Sequence, residues 1–238
     1  MPDPKPIHVG PDGTKFRYIG SATTTPTTDT SIKVITVYPE TMCPNMTNEE
    51  FAKTVMRLRD VAVKLTSTRI ANLNRWNADD RAEAIEWFGS DSEEVRSTLL
   101  IGLPQISRVL SSLKPSNFVR LSEISSRNLS CDASATNGNT TAAVCKPDTE
   151  THTIAIGPNF CEMPDEKKNF DTGQALDGDS KLLTLIHEVS HFNDTMQTGD
   201  TWYGIANSRR KAKAGGSIPI STADNIASYV VFAKRGKS

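Results

Sequence analysis

The sequence predicts an α+β domain with more helix than strand, and three observations carry that expectation. Helical periodicity runs through most of residues 47–113, β-like runs flank a Gly/Asn/Thr-rich loop within 117–157, and helical signals return at 180–192 and 222–233. The flanking runs are expected to form a small antiparallel sheet. Residues 1–42 read as a β-rich extension, an added sheet layer or the remnant of a pro-segment, and residues 43–238 as the main domain. With 238 residues, of which 37% are hydrophobic, the chain is long enough to bury a sizeable core.

Taken in order, residues 7–19 place two short β-prone runs around Gly10-Pro11-Asp12-Gly13, which is turn chemistry for a hairpin. The Ser/Thr tract SATTTPTTDTS reads as a loop, and SIKVITVY alternates apolar and polar side chains as a strand does. From Thr47 the period changes. Thr47 and Glu50 have capping-box spacing, and Phe51, Val55, Leu58, Val61, Ala62 and Leu65 recur at helical intervals. Further helices are expected at 79–88, stopped by Gly89, and at 92–113, bent or interrupted near Pro104.

Charge and composition exclude some functions. With 27 basic and 28 acidic residues the net charge is -1, which gives no electrostatic reason for a nucleic-acid or membrane-surface partner. No apolar run approaches the roughly 18 to 20 residues that cross a bilayer, and the opening MPDPKPIHVGPDG has no signal-peptide h-region. Cys43, Cys131, Cys145 and Cys161 are an even number without a C-x-x-C pair, so two disulfides and an oxidising compartment are expected. The localisation expected is therefore secreted, by a signal outside this chain or by effector-type delivery.

The chemistry concentrates in LIHEVSHFNDTMQTGDTWYG, residues 185–204. Residues four apart share a helical face, so His187 and His191 can offer imidazole nitrogens to one zinc ion, and Glu188 can take a proton from a water on it. A hydrolytic zinc site uses three protein ligands, and neither His nor Glu occurs after His191. Three acidic residues remain: Asp194, Asp200 and Asp224. Asp194 lies roughly 10 Å along the axis from His187 if the helix continues, which makes it a poor partner. Asp200 follows a stretch with enough loop character to reverse the chain, and Asp224 stays open as a rival ligand or a pocket residue.

This segment resembles the signature of the aspzincins, the deuterolysin and peptidyl-lysine metalloendopeptidases, in which H-E-x-x-H is followed by G-T-x-D-x-x-Y-G. Thr198, Asp200, Tyr203 and Gly204 match the second motif, and Gln197 stands where its first Gly would be. Trp87-Phe88-Gly89 and Ala223-Asp224-Asn225 are also similar to family positions, so the resemblance covers about residues 43–233.

The resemblance implies a mainly helical zincin-like metalloprotease domain that binds one zinc per chain through His187, His191 and Asp200. It implies Glu188 as general base and Tyr203 as donor to the oxyanion. Asp224, with Thr198 and Gly199, is expected to contact substrate, Asp224 by receiving a basic side chain. Ala227 stands where lysine-specific members have a second acid, so a lysine preference is expected not to be strict. The implied disulfides are Cys43–Cys131 and Cys145–Cys161. The expected partners are a protein or peptide substrate and, as candidates, a pro-segment or inhibitor protein, on a monomer. Arg209, Arg210, Lys211 and Lys213 read as a solvated loop. The rival reading is a toxin or binding module that keeps the fold and the metal without turnover.

Overall fold

The computed structural model describes residues 8–9, 15–16, 20–25, 34–122, 140–169 and 171–233. Two antiparallel hairpins come first: β1 (His8–Val9) with β2 (Lys15–Phe16), then β3 (Gly20–Thr25) with β4 (Val34–Pro39). The tract expected to be a loop therefore contributes β3. Its threonines are β-branched and favour extended backbone.

Three long helices follow. In α1 (Asn48–Arg75) Thr47 accepts from the Glu50 backbone N–H at 3.2 Å while Glu50 accepts from the Thr47 N–H at 2.8 Å, the capping box expected. The buried stripe Phe51, Val55, Leu58, Ala62 and Leu73 keeps helical spacing. Helix α2 (Ala78–Phe88) ends at Gly89, whose φ is 74°; a Cβ there would lie 2.2 Å from the Ala212 carbonyl oxygen, so glycine is needed for the close approach of a later helix. Helix α3 (Glu93–Ser112) runs through Pro104 without interruption and packs along α1.

The small sheet is mixed rather than antiparallel, in the order β5-β7-β6. Strand β7 (Ile154–Ile156) is buried throughout and pairs parallel with β5 (Phe118–Arg120) and antiparallel with β6 (Ala142–Val144). Three-residue strands carry too little pattern to fix direction, and the long connection from β5 to β7 permits the parallel pairing.

The disulfide expectation is overturned. Cys43 bonds Cys161, with Cα atoms 5.5 Å apart, and Cys145 is disulfide-bonded as well, so neither Cys43–Cys131 nor Cys145–Cys161 forms. The reason is α4 (Pro158–Glu162), which sets Cys161 against the segment before α1, where Asn45 Nδ2 donates to the Cys161 carbonyl at 3.1 Å.

Helices α5 (Lys181–Ser190), α6 (Ile205–Lys213) and α7 (Ala223–Val231) complete the chain. Helix α5 packs against α7 and α1, and α6 against α2. The basic run is thus helical: Arg209 pairs with Glu86 and Asp177 and lies over the Trp87 and Phe232 rings. Among the described residues no helix is long and apolar enough to cross a membrane.

Candidate metal centre

Helix α5 starts where Ser180 caps the Leu183 N–H, and every residue from Lys181 to Ser190 is buried. Such a helix is held by neighbours on all sides, which fixes the direction of its side chains. One turn apart, the His187 and His191 rings stand 4.8 Å between centroids and nearly perpendicular, at 88°.

The helix ends at His191, and Thr195 Oγ1 closes the following turn by donating to the Val189 carbonyl at 2.8 Å. Gln197 then adopts φ 54°, and the Thr198 N–H returns to the Ser190 carbonyl at 3.2 Å. The Gly199 N–H donates to the Ser221 carbonyl at 2.9 Å, and the Ala223 N–H donates to the Gly199 carbonyl at 3.1 Å. This reversal brings Asp200 back over α5, with Oδ1 3.0 Å from His187 Nε2 and 3.3 Å from His191 Nε2.

The far sides of both rings are tied down. His187 Nδ1 donates to Asp224 Oδ1 at 2.6 Å, and His191 Nδ1 donates to the Thr198 carbonyl at 2.9 Å. In the neutral rings this places the proton on Nδ1, so that Nε2, facing Asp200, is the nitrogen that a metal would take in place of a proton. Two imidazole nitrogens and one carboxylate oxygen lie within 4.8 Å of one another. Tetrahedral zinc with ligand bonds near 2.0–2.2 Å has edges of about 3.3 Å, close to the two His–Asp separations, and two imidazoles with a carboxylate are a donor set that fits the ion.

Electrostatics agree. Burial alone would favour neutral His187, but the Asp200 and Asp224 carboxylates outweigh it and lift its pKa to about 10. Asp200, against its own burial, is held far below the usual carboxylate range by the two histidines. Glu188 is pushed up by burial, against the opposing pull of the two histidines. Three carboxylates around two imidazoles make a pocket that favours added positive charge.

Tyr203 lies over His187, with ring centroids 6.2 Å apart and planes 18° from parallel, and it stays 63% exposed. Partial burial and the nearby Asp200 push its hydroxyl up to about 12, so it remains a donor at neutral pH.

The structure therefore brings together His187, Glu188, His191, Asp200 and Tyr203. It moves three residues expected to contact substrate. Asp224 is buried behind His187, and both its oxygens are engaged, the second by the Gly204 N–H. Thr198 is fully buried, its hydroxyl 2.7 Å from Ser190 Oγ and its carbonyl on His191. Gly199 spends its backbone on the bridge to Thr222. Asp194 lies away from the centre and pairs with Arg108 at 2.7 Å.

The sequence reading missed the supports beneath the site. Asn225 accepts from Trp202 Nε1 at 2.9 Å and donates to the Trp87 carbonyl at 2.7 Å. The recurrence of Trp87 and Asn225 in family-like positions was the available signal.

Comparison with known proteins agrees with this geometry. Residues 75–233 match the aspzincin family, described as lysine-specific metallo-endopeptidases. A zinc peptidase from Grifola frondosa has a similar fold, with a TM-score of 0.56 over 76% of this chain and 94% of that one, at 21% identity. An extracellular protease of Aeromonas hydrophila is 40% identical over 58 residues, which are 24% of this chain and only 17% of that protein. With the family match running from the end of α1 through α7, the chain belongs to the aspzincin metallo-endopeptidase family.

Proposed function

We propose that the chain is a secreted zinc endopeptidase that holds one zinc per chain through His187, His191 and Asp200. The observation carrying this reading is the convergence of three donor atoms whose other sides are already hydrogen-bonded or directed by the fold. Zinc in that position supplies electrophilic activation of the scissile carbonyl and of the attacking water.

The remaining work falls to side chains. Glu188, buried and raised in pKa, accepts the proton of the attacking water and passes it to the leaving amine. Tyr203 is exposed over His187 and donates to the oxyanion. Asp224 orients His187 as a positioning residue. With both its oxygens engaged and Ala227 fully buried, α7 offers no free carboxylate at these two positions for a substrate lysine. We therefore read the specificity as wider than lysine.

The catalytic unit is assigned to residues 43–238, with Cys43 tied to Cys161 at its near end and residues 1–42 ahead of it. Its disulfides fit an oxidising compartment, and the Aeromonas relative is an extracellular protease.

The test is cleavage of an unfolded protein by wild type and Glu188→Ala, with metal content measured on both. Wild type should carry about one zinc and cut at sites not confined to lysine. The variant should keep its zinc and lose activity by about 10²-fold or more. A zinc-loaded wild type that cuts nothing would leave a binding module and sink the reading.

A further inference from the structure

His152 is a buried histidine to which the proposed mechanism assigns no task. It sits in the turn between β6 and β7 at φ 45°, a conformation that a non-glycine residue adopts only at a cost. The turn is held rigidly in that state. Asp148 accepts from the Thr151 N–H at 3.0 Å, the Thr151 hydroxyl at 2.6 Å and the Thr153 N–H at 2.7 Å.

The Thr151 carbonyl of this turn accepts from Asn117 Nδ2 at 2.6 Å, and further side-chain and backbone contacts of the turn converge on the connector between His191 and Asp200. The Lys146 carbonyl accepts from the Asn193 N–H at 2.9 Å, and Lys146 Nζ donates to the Thr198 carbonyl, the same oxygen that orients His191. His152 Nε2 lies 3.1 and 3.2 Å from the two Asp194 carboxylate oxygens, and its ring meets Phe192 edge-on at 4.8 Å. Arg108 of α3 closes on Asp194 from another side at 2.7 Å.

We propose that the Lys146–His152 turn braces this connector and so sets the position of Asp200 against α5, with His152 the positioning residue that acts through Asp194. The connector is short and irregular, with Gln197 in a left-handed conformation; its backbone bonds from Thr198 and Gly199 hold the stretch beside Asp200, and the turn adds holds upstream of it. A metal ligand must be held within about 0.5 Å of its working place. The turn supplies holds at Asn193, Asp194 and Thr198, on both sides of the irregular part.

The inference rests on the zinc site proposed above, and the first measurement separates the two: zinc uptake by the wild-type chain, whose absence overturns the site and the brace together. Zinc affinity is then read by chelator competition, beside the melting temperature of the metal-free protein. His152→Phe keeps a ring against Phe192 and removes the donor to Asp194; it should weaken zinc binding about tenfold, the scale of outer-shell losses, while the metal-free protein melts within a few degrees of wild type. His152→Gln, which restores a donor, should recover most of the affinity. Asp194→Ala should weaken binding alike, and the double variant with His152→Phe should be no weaker than either single variant.

Wild-type affinity in His152→Phe overturns the proposal. So do losses that multiply in the double variant, which would mean that His152 does not act through Asp194. If His152→Phe fails to fold, His152→Gln and Asp194→Ala decide: tight binding in Asp194→Ala overturns the brace, and weak binding there with near wild-type binding in His152→Gln supports it.

Discussion

Gln197 carries a backbone angle of +54° at the position where the family motif has glycine. A left-handed residue lets the chain double back from His191 to Asp200, and glycine takes that conformation without a Cβ clash. Because Gln197 is exposed, nothing else should depend on its side chain. Gln197→Gly is therefore expected to raise stability by about 0.5 to 1 kcal/mol, with zinc content unchanged. A urea midpoint equal to or below that of wild type would contradict this account. At this scale His187 and His191 were legible because helical spacing puts them on one face, and Glu188 because it adjoins the first of them. Asp200 was reached by elimination and by the motif. The placement of Asp224 was not legible, since its contact with His187 spans 37 residues and depends on how α5 meets α7.

The elements split by sequence pattern. Helices α1, α2, α3, α5 and α7 announce themselves through apolar period and caps, Thr47 and Ser180 among them. Helix α6 does not: its buried positions are few, and its cations find partners only in the fold, as Arg209 does with Glu86 and Asp177. The β6–β7 turn depends on Asp148 in the same way. Burial works against ionisation there, but the bonds from Thr151 and Thr153 outweigh it and hold the carboxyl below its usual range. A depressed carboxyl adds stability that is present above the unfolded pKa of about 3.9 and is lost as pH falls through the folded value. Asp148→Asn should thus cost the metal-free protein about 1 to 3 kcal/mol at pH 7, a difference that shrinks progressively below pH 4. Denaturation curves that keep a constant gap down to pH 3 would rule this out.

Across the whole molecule, one apolar cluster runs from Cys43 and Phe51 through α3 and β7 to Ile226 and Val230, and the buried histidines sit at its edge. Its class followed from periodicity. Its cross-links did not, because Cys43 meets Cys161 through the packing of a five-residue helix. That bond joins positions 118 residues apart and limits the unfolded chain accordingly. Replacing both cysteines by alanine should cost about 2 to 5 kcal/mol, and reducing agent should lower the melting temperature of wild type but not of the variant by a comparable amount. Equal stability of the two proteins would argue against the observed pairing. The junction of α5 with α7 has a consequence for how the molecule is made. On the ribosome, α5 emerges while α7 is still being translated, so both histidines are present before the carboxylate that holds the first of them. The proposed cutting power should therefore arise only after α7 has been made, which spares the segments that precede it and the synthetic machinery around them.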